Sequence, residues 1–130
     1  MMPVLGGPVP ILRMFDEALA REFYFDFLGF SESFAHRFGP NFPLYLGIRR
    51  DGCDLHLSGH FGDATPGSHV RIGCAGLGDW ALALTARDYR HARPGACAAT
   101  PWGTREMTIT DPSGNNLTFY EAAGQAGTKA

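Results

Sequence analysis

The stretch that most constrains this chain is Pro101 to Glu121, PWGTREMTITDPSGNNLTFYE. Thr104 to Thr110 alternates polar and apolar side chains, Asp111-Pro112-Ser113-Gly114-Asn115 is dense in turn-forming residues, and Leu117 to Tyr120 alternates again. The pattern predicts a β-hairpin with one face made for a core. Because successive strand side chains point to opposite faces, the other face carries Glu106 and Thr108 on the first strand and Thr118 and Tyr120 on the second. That polar row is a place where a small molecule can lie.

A chain of 130 residues, 45% of them hydrophobic, predicts one domain spanning 1–130 that buries its core without disulfide staples. Eleven basic against 13 acidic residues give a net charge of -2 with no basic run, which argues against a nucleic-acid partner. Cys53, Cys74 and Cys97 are odd in number and lack CxxC spacing, as expected of reduced core thiols. The N-terminus shows no basic region followed by an apolar run, and no stretch approaches about 18 apolar residues. A soluble, cytoplasmic protein with no membrane partner is expected.

Val9 to Phe15 reads as a first strand, with Pro10 arguing for an edge or a strand start. Asp16 is a helix N-cap, and the helix is expected to run to about Leu28 with Gly29 as its stop. Its aromatic residues, Phe23, Tyr24, Phe25 and Phe27, nearly encircle it, which predicts a helix that packs on a sheet and also touches a second subunit. Strands follow at Ser31 to Phe38, Leu44 to Arg49 and Cys53 to Ser58, the last two closed by Arg50-Asp51-Gly52. Residues 59–67 form a linking loop. The second half opens with a strand at Ser68 to Cys74 and a helix at Leu77 to Tyr89, capped near Gly78-Asp79. A short strand near Ala96 to Ala99 then leads into the hairpin, and 122–130 is expected to be a flexible tail. The order β, α, β, β, β thus occurs over 9–58 and again over 68–121.

This doubled βαβββ order resembles the glyoxalase I or vicinal-oxygen-chelate superfamily, an α+β fold of curved mixed sheets with helices outside. Ile11 to Phe30, ILRMFDEALAREFYFDFLGF, is similar to its opening strand-helix signature. Pro101-Trp102-Gly103 followed by a strand, Asp-Pro-x-Gly-Asn and a last strand resembles the bleomycin-resistance branch most closely. The resemblance covers nearly the whole chain. It implies a homodimer whose N-terminal strand crosses to the partner, with antibiotic-binding grooves between subunits. Trp102 would stack on an aromatic part of the ligand, with Phe38 and Phe42 as second walls. The alanine-rich segment before Pro101 departs from the branch and leaves the ligand's identity open.

In metal-dependent members the ligands occupy positions that fall here at Val9, His56, His69 and Thr118. Valine cannot bind a cation and a neutral hydroxyl is a poor ligand for a transition metal. His56 and His69 are therefore expected to line the pocket as hydrogen-bonding groups. The alternative is a divalent metal held by His56, His69 and Glu106. His56 with His60 fails as a chelating pair, because four strand residues span roughly 13 Å.

No nucleophile elbow or phosphate-binding glycine loop is present. Asp16 with Glu17, and Asp51 with Asp54, sit at a cap and a turn. Glu106, on the polar face, is expected to have a raised pKa or to hold a cationic ligand group. The sequence points to a protein that sequesters a bleomycin-type or other planar, cationic antibiotic without cofactor or catalysis. Its binding set is Trp102, Phe38, Phe42, Glu106, Thr108, Thr118, Tyr120, His56 and His69. A metal-dependent lyase or dioxygenase and a non-catalytic structural or regulatory dimer are the other readings.

Overall fold

The computed structural model describes residues 2–123. Eight strands form two four-stranded sheets: β1 (Ile11–Arg13), β2 (Ser31–His36), β3 (Tyr45–Arg50) and β4 (Cys53–Ser58) in one, and β5 (His69–Gly73), β6 (Ala98–Ala99), β7 (Thr104–Thr110) and β8 (Asn116–Ala122) in the other. The spatial orders are β1-β4-β3-β2 and β5-β8-β7-β6, so each sheet has the same wiring and a parallel outer pair, β1 on β4 and β5 on β8. The fold is α+β, as the doubled pattern predicts. β4 and β7 span the residues expected from their alternation, while β1 is only three residues long because the chain before Ile11 pairs with nothing beyond the Pro10 carbonyl. Ala122 closes β8 rather than opening a tail, and 124–130 lie outside the described residues.

The apolar positions of both sheets face one core. Leu12, Leu46, Ile48, Leu55 and Leu57 meet Met107, Ile109, Leu117 and Phe119 in a single buried cluster. Asp16 caps α1 (Glu17–Arg21) through a 2.9 Å bond from the Leu19 N–H. From Glu22 to Phe27 the helix widens into a π-turn, with the Leu28 N–H reaching back five residues to the Phe23 carbonyl. The wider turn brings Phe23, Tyr24, Phe27 and Leu28 into the core together. The helix's aromatic belt is thereby covered within one chain, and the expected second subunit is not needed to bury it. Phe27 stacks on Tyr89 at 4.8 Å, and Tyr24 meets Phe30 edge to face.

The second helix, α2 (Leu77–Ala86), ends before Tyr89, where Asp88 takes a left-handed φ of 49°. Its N-terminus is capped from outside the segment. Gly76 offers no side chain, and the buried Glu121 of β8 accepts the Leu77 N–H at 3.1 Å instead of a cap near Gly78-Asp79. No described helix is long and apolar enough to cross a membrane.

The turn Asp111–Asn115 fastens the second unit to the first. Asp111 accepts the Ser113 and Asn115 N–H groups at 2.9 and 2.8 Å, the Asn115 amide at 2.9 Å and the Tyr24 hydroxyl at 2.7 Å. Asn115 donates onward to the Arg13 carbonyl, and the Phe15 N–H donates to Ser113 Oγ. Burial and then the Asp111 charge push the Tyr24 hydroxyl well above its ordinary pKa, so it remains a donor at physiological pH. Asp111→Ala strands these buried donors and is expected to cost about 2–4 kcal/mol, against about 1–2 for Tyr24→Phe. Urea unfolding with an unchanged m-value checks both.

Candidate functional site

Each sheet has one face on the core and one face open. On the second sheet the open face is the polar row. β7 and β8 pair antiparallel with Glu106 opposite Tyr120 and Thr108 opposite Thr118, so the alternation places all four together. The Thr108 and Thr118 hydroxyls are 2.7 Å apart, and His69 Nε2 on β5 is 2.7 Å from Thr118 Oγ1. Thr118 is buried under these neighbours.

Glu106 is the hub of this face. Arg71 reaches it from β5 with two bonds of 3.1 and 2.8 Å, Thr104 Oγ1 donates at 2.6 Å, and the Trp102 indole N–H donates at 3.0 Å. Three of these four donors converge on Oε2 and one, from Arg71, reaches Oε1. The hydrogen bond from Arg71, then those from Thr104 and Trp102, hold its pKa down to about 2 from the ordinary 4.5. The sequence expectation of a raised pKa or a free anion for a cationic ligand group is corrected by these partners. Arg71 was not among the expected site residues. It stands two positions after His69 on an alternating strand, and that spacing already placed it on the polar face.

Trp102 sits in the turn before β7 and is 67% exposed, so it is not a core residue covering the sheet edge. Gly103, at φ +89°, turns the chain there. The indole is held at one edge by Glu106 while its ring remains open to solvent.

The open face of the first sheet is aromatic. Phe34 lies over Gly47, where a Cβ would come to 2.2 Å from its ring and displace it. The ring stacks 6.0 Å from Tyr45 and meets His56 edge to face at 5.1 Å. His56 Nδ1 bonds the Tyr45 hydroxyl at 2.8 Å. Phe38 adds edge-to-face contacts with His36 and His60. Phe34, His36, Phe38, Tyr45, His60 and Asp63 line a recess of about 440 Å³. Phe38 and Phe42, 72% and 54% exposed, lie in the loop joining β2 to β3 of the first sheet, whereas Trp102 lies in the turn before β7 of the second.

The alternative ligand set is not brought together within one chain. His56 lies on the first sheet and binds Tyr45, while His69 and Glu106 lie on the second with Thr118 and Arg71 as partners. Among the described residues no three His, Cys, Asp or Glu side chains are grouped to hold a metal ion. Val9, at the remaining ligand position, is exposed ahead of β1. Burial pushes the Cys53 and Cys74 thiols up, which disfavours the reactive thiolate.

A family model described as glyoxalase superfamily protein matches residues 5–126. The chain belongs to that superfamily. Among solved structures it is similar to the bleomycin-binding protein of bleomycin-producing Streptomyces verticillus, solved with copper(II)-bleomycin. That pair shares 25% identity and a TM-score of 0.70 over 91% of this chain and 97% of the other. A bleomycin-binding protein solved with bleomycin is 18% identical, with a TM-score of 0.67 over 90% of this chain and 98% of that one. TnmS3, an antibiotic binding protein from Streptomyces sp. CB03234, is 21% identical, with a TM-score of 0.69 over 92% and 99%. No curated protein sequence matches significantly. The bleomycin-binding neighbours belong to the branch that Pro101-Trp102-Gly103 and the following hairpin resemble.

The lowered pKa of Glu106 has a pH signature. A depressed folded-state pKa contributes stability that is present above the unfolded value and lost as pH falls through the folded one. The Arg71–Glu106–Trp102 array is therefore expected to survive acidification through 4.5 and to break near 2. The fluorescence difference between wild type and Trp102→Phe follows it. A transition centred near 4.5 contradicts the array.

Proposed function

We propose that the protein binds a bleomycin-type or other planar antibiotic without altering it. The observation that carries this reading is the exposed Trp102 indole, fixed at its edge by Glu106 and free on its ring. Holding an aromatic ring in place before the ligand arrives lowers the ordering cost of stacking on it. The bleomycin-binding neighbours support the same reading, as do the unassembled ligand set and a Glu106 whose ion pair with Arg71 and lowered pKa make it a weak base.

One stack is not enough. An aromatic pair contributes about 0.5–1.5 kcal/mol beyond burial, whereas a nanomolar complex needs about 12 kcal/mol. A second wall is required, and in one chain Phe38 and Phe42 lie in the β2–β3 loop of the other sheet's unit. A homodimer that sets the aromatic face of one copy opposite the Trp102 face of the other supplies that wall. The exposed Val9, Ile11, Phe34, Phe38 and Phe42 along the first unit support this arrangement.

Titration with metal-free and copper-loaded bleomycin, followed by tryptophan fluorescence, tests the reading. Saturable quenching is expected, and Trp102→Ala is expected to weaken binding by about tenfold or more, equivalent to about 1.4 kcal/mol. Quenching that persists unchanged in Trp102→Ala places the ligand elsewhere.

A further inference from the structure

We propose that the aromatic recess of the first sheet is a cation site, in which Phe34, Phe38, Tyr45 and Asp63 hold an organic ammonium group of the ligand. This deepens the binding function proposed above and rests on it for the planar part of that ligand. Glu106 is ion-paired with Arg71, so a cationic ligand group needs another anion. The first sheet has one.

The pleat builds the recess. Phe34 and His36 stand two apart on β2, so their side chains share the open face, and His36 is opposite Tyr45 on β3. Tyr45 is in turn opposite Ser58 on β4. The buried Ser58 Oγ donates to Asp63 Oδ2 at 2.6 Å and accepts the His60 N–H at 3.1 Å, which folds the loop after β4 back beside Tyr45. A carboxylate is thereby added to a wall of rings around about 440 Å³, room enough for a quaternary ammonium. Phe38 lines this recess and is also the second wall proposed for the stacked ring. A planar ligand lying against Phe38 therefore carries a cationic substituent into it.

The Asp63 charge is not cancelled. Ser58 is a neutral donor, and among the described residues no basic side chain lies within ion-pair reach of Asp63. Arg37 is bonded to Glu17 and the Phe42 carbonyl, and Arg13 lies over the Phe15 ring. Burial and then the Asp63 charge raise the Tyr45 hydroxyl above its ordinary pKa, so the field of the carboxylate reaches that ring. The negative faces of phenyl and phenol rings attract a cation within about 6 Å, and a neighbouring carboxylate adds an attraction that a neutral guest does not feel. At the wall, His60 Nε2 is buried without a hydrogen-bond partner among the described residues, so the recess is incomplete without a polar occupant.

The test uses choline and 3,3-dimethylbutanol, which share a shape and a hydroxyl and differ in charge. Each is titrated against the protein by ¹H–¹⁵N NMR at pH 8, above the ordinary histidine range. Choline is expected to bind about tenfold tighter than the alcohol, with shifts centred on Gly47, His60 and Asp63. Asp63→Asn keeps an acceptor for Ser58 and is expected to abolish most of that preference while leaving the alcohol's affinity unchanged. Thermal melts establish that the variant is folded, and the ratio of the two affinities is a readout that a purely structural aspartate does not move. Equal affinities in the wild type, or a ratio unchanged in Asp63→Asn, overturn the cation site. Choline that causes no saturable shifts while bleomycin still quenches Trp102 overturns the cation site and leaves the binding function standing. If neither choline nor bleomycin binds, both are overturned together.

Discussion

The buried Asp111 carboxylate is the interaction on which the rest of the structure depends. It accepts from two backbone N–H groups, an amide and the Tyr24 hydroxyl, and so joins the last hairpin's turn to the first unit's helix. A carboxylate taken out of water is costly unless its acceptor sites are filled, and here four donors fill them. Asn115 and Ser113 extend the join to the chain around β1. The turn residues that look in sequence like simple hairpin chemistry are therefore the clasp between two similarly wired halves. With the apolar side of the hairpin pinned to the core, its polar side is held open.

The second carboxylate with four donors, Glu106, acts at the open face. Asp111 organises the fold, and Glu106 organises the wall, spending its acceptor capacity on Arg71, Thr104 and Trp102. The consequence is an indole held at its N–H edge with an open face, beside a half-exposed guanidinium. This is a surface suited to holding a planar molecule, and its carboxylate is ion-paired with a pKa held down to about 2. The aromatic face of the other sheet supplies rings but not the same charges, so the two open faces are complementary.

Much of this was legible in the residues. Alternation gave the limits of β4 and β7 and assigned Thr108, Thr118, Glu106 and Tyr120 to one face, because a period of two leaves no freedom once one side is buried. The doubled strand order and the Asp16 cap were readable for similar local reasons. The charge state of Glu106 was not, since it depends on Arg71 from a strand 35 residues away. The α2 cap was hidden likewise, because Glu121 reaches it across 44 residues. The π-turn at Glu22–Phe27 changed which aromatics share a face, and no helical period of 3.6 anticipates that. The ligand set of His56, His69 and Glu106 was placed by strand position alone, and the separation of its members between two sheets appears only in three dimensions.

The central claim is that the ligand is held and released unchanged. Equilibrium dialysis of bleomycin, metal-free and copper-loaded, against the protein, followed by mass analysis of the drug recovered after denaturation, tests it most directly. Retention of the drug on the protein side with its mass unaltered is the predicted result. Recovery of a modified drug, or equal drug on both sides of the membrane, would contradict the account.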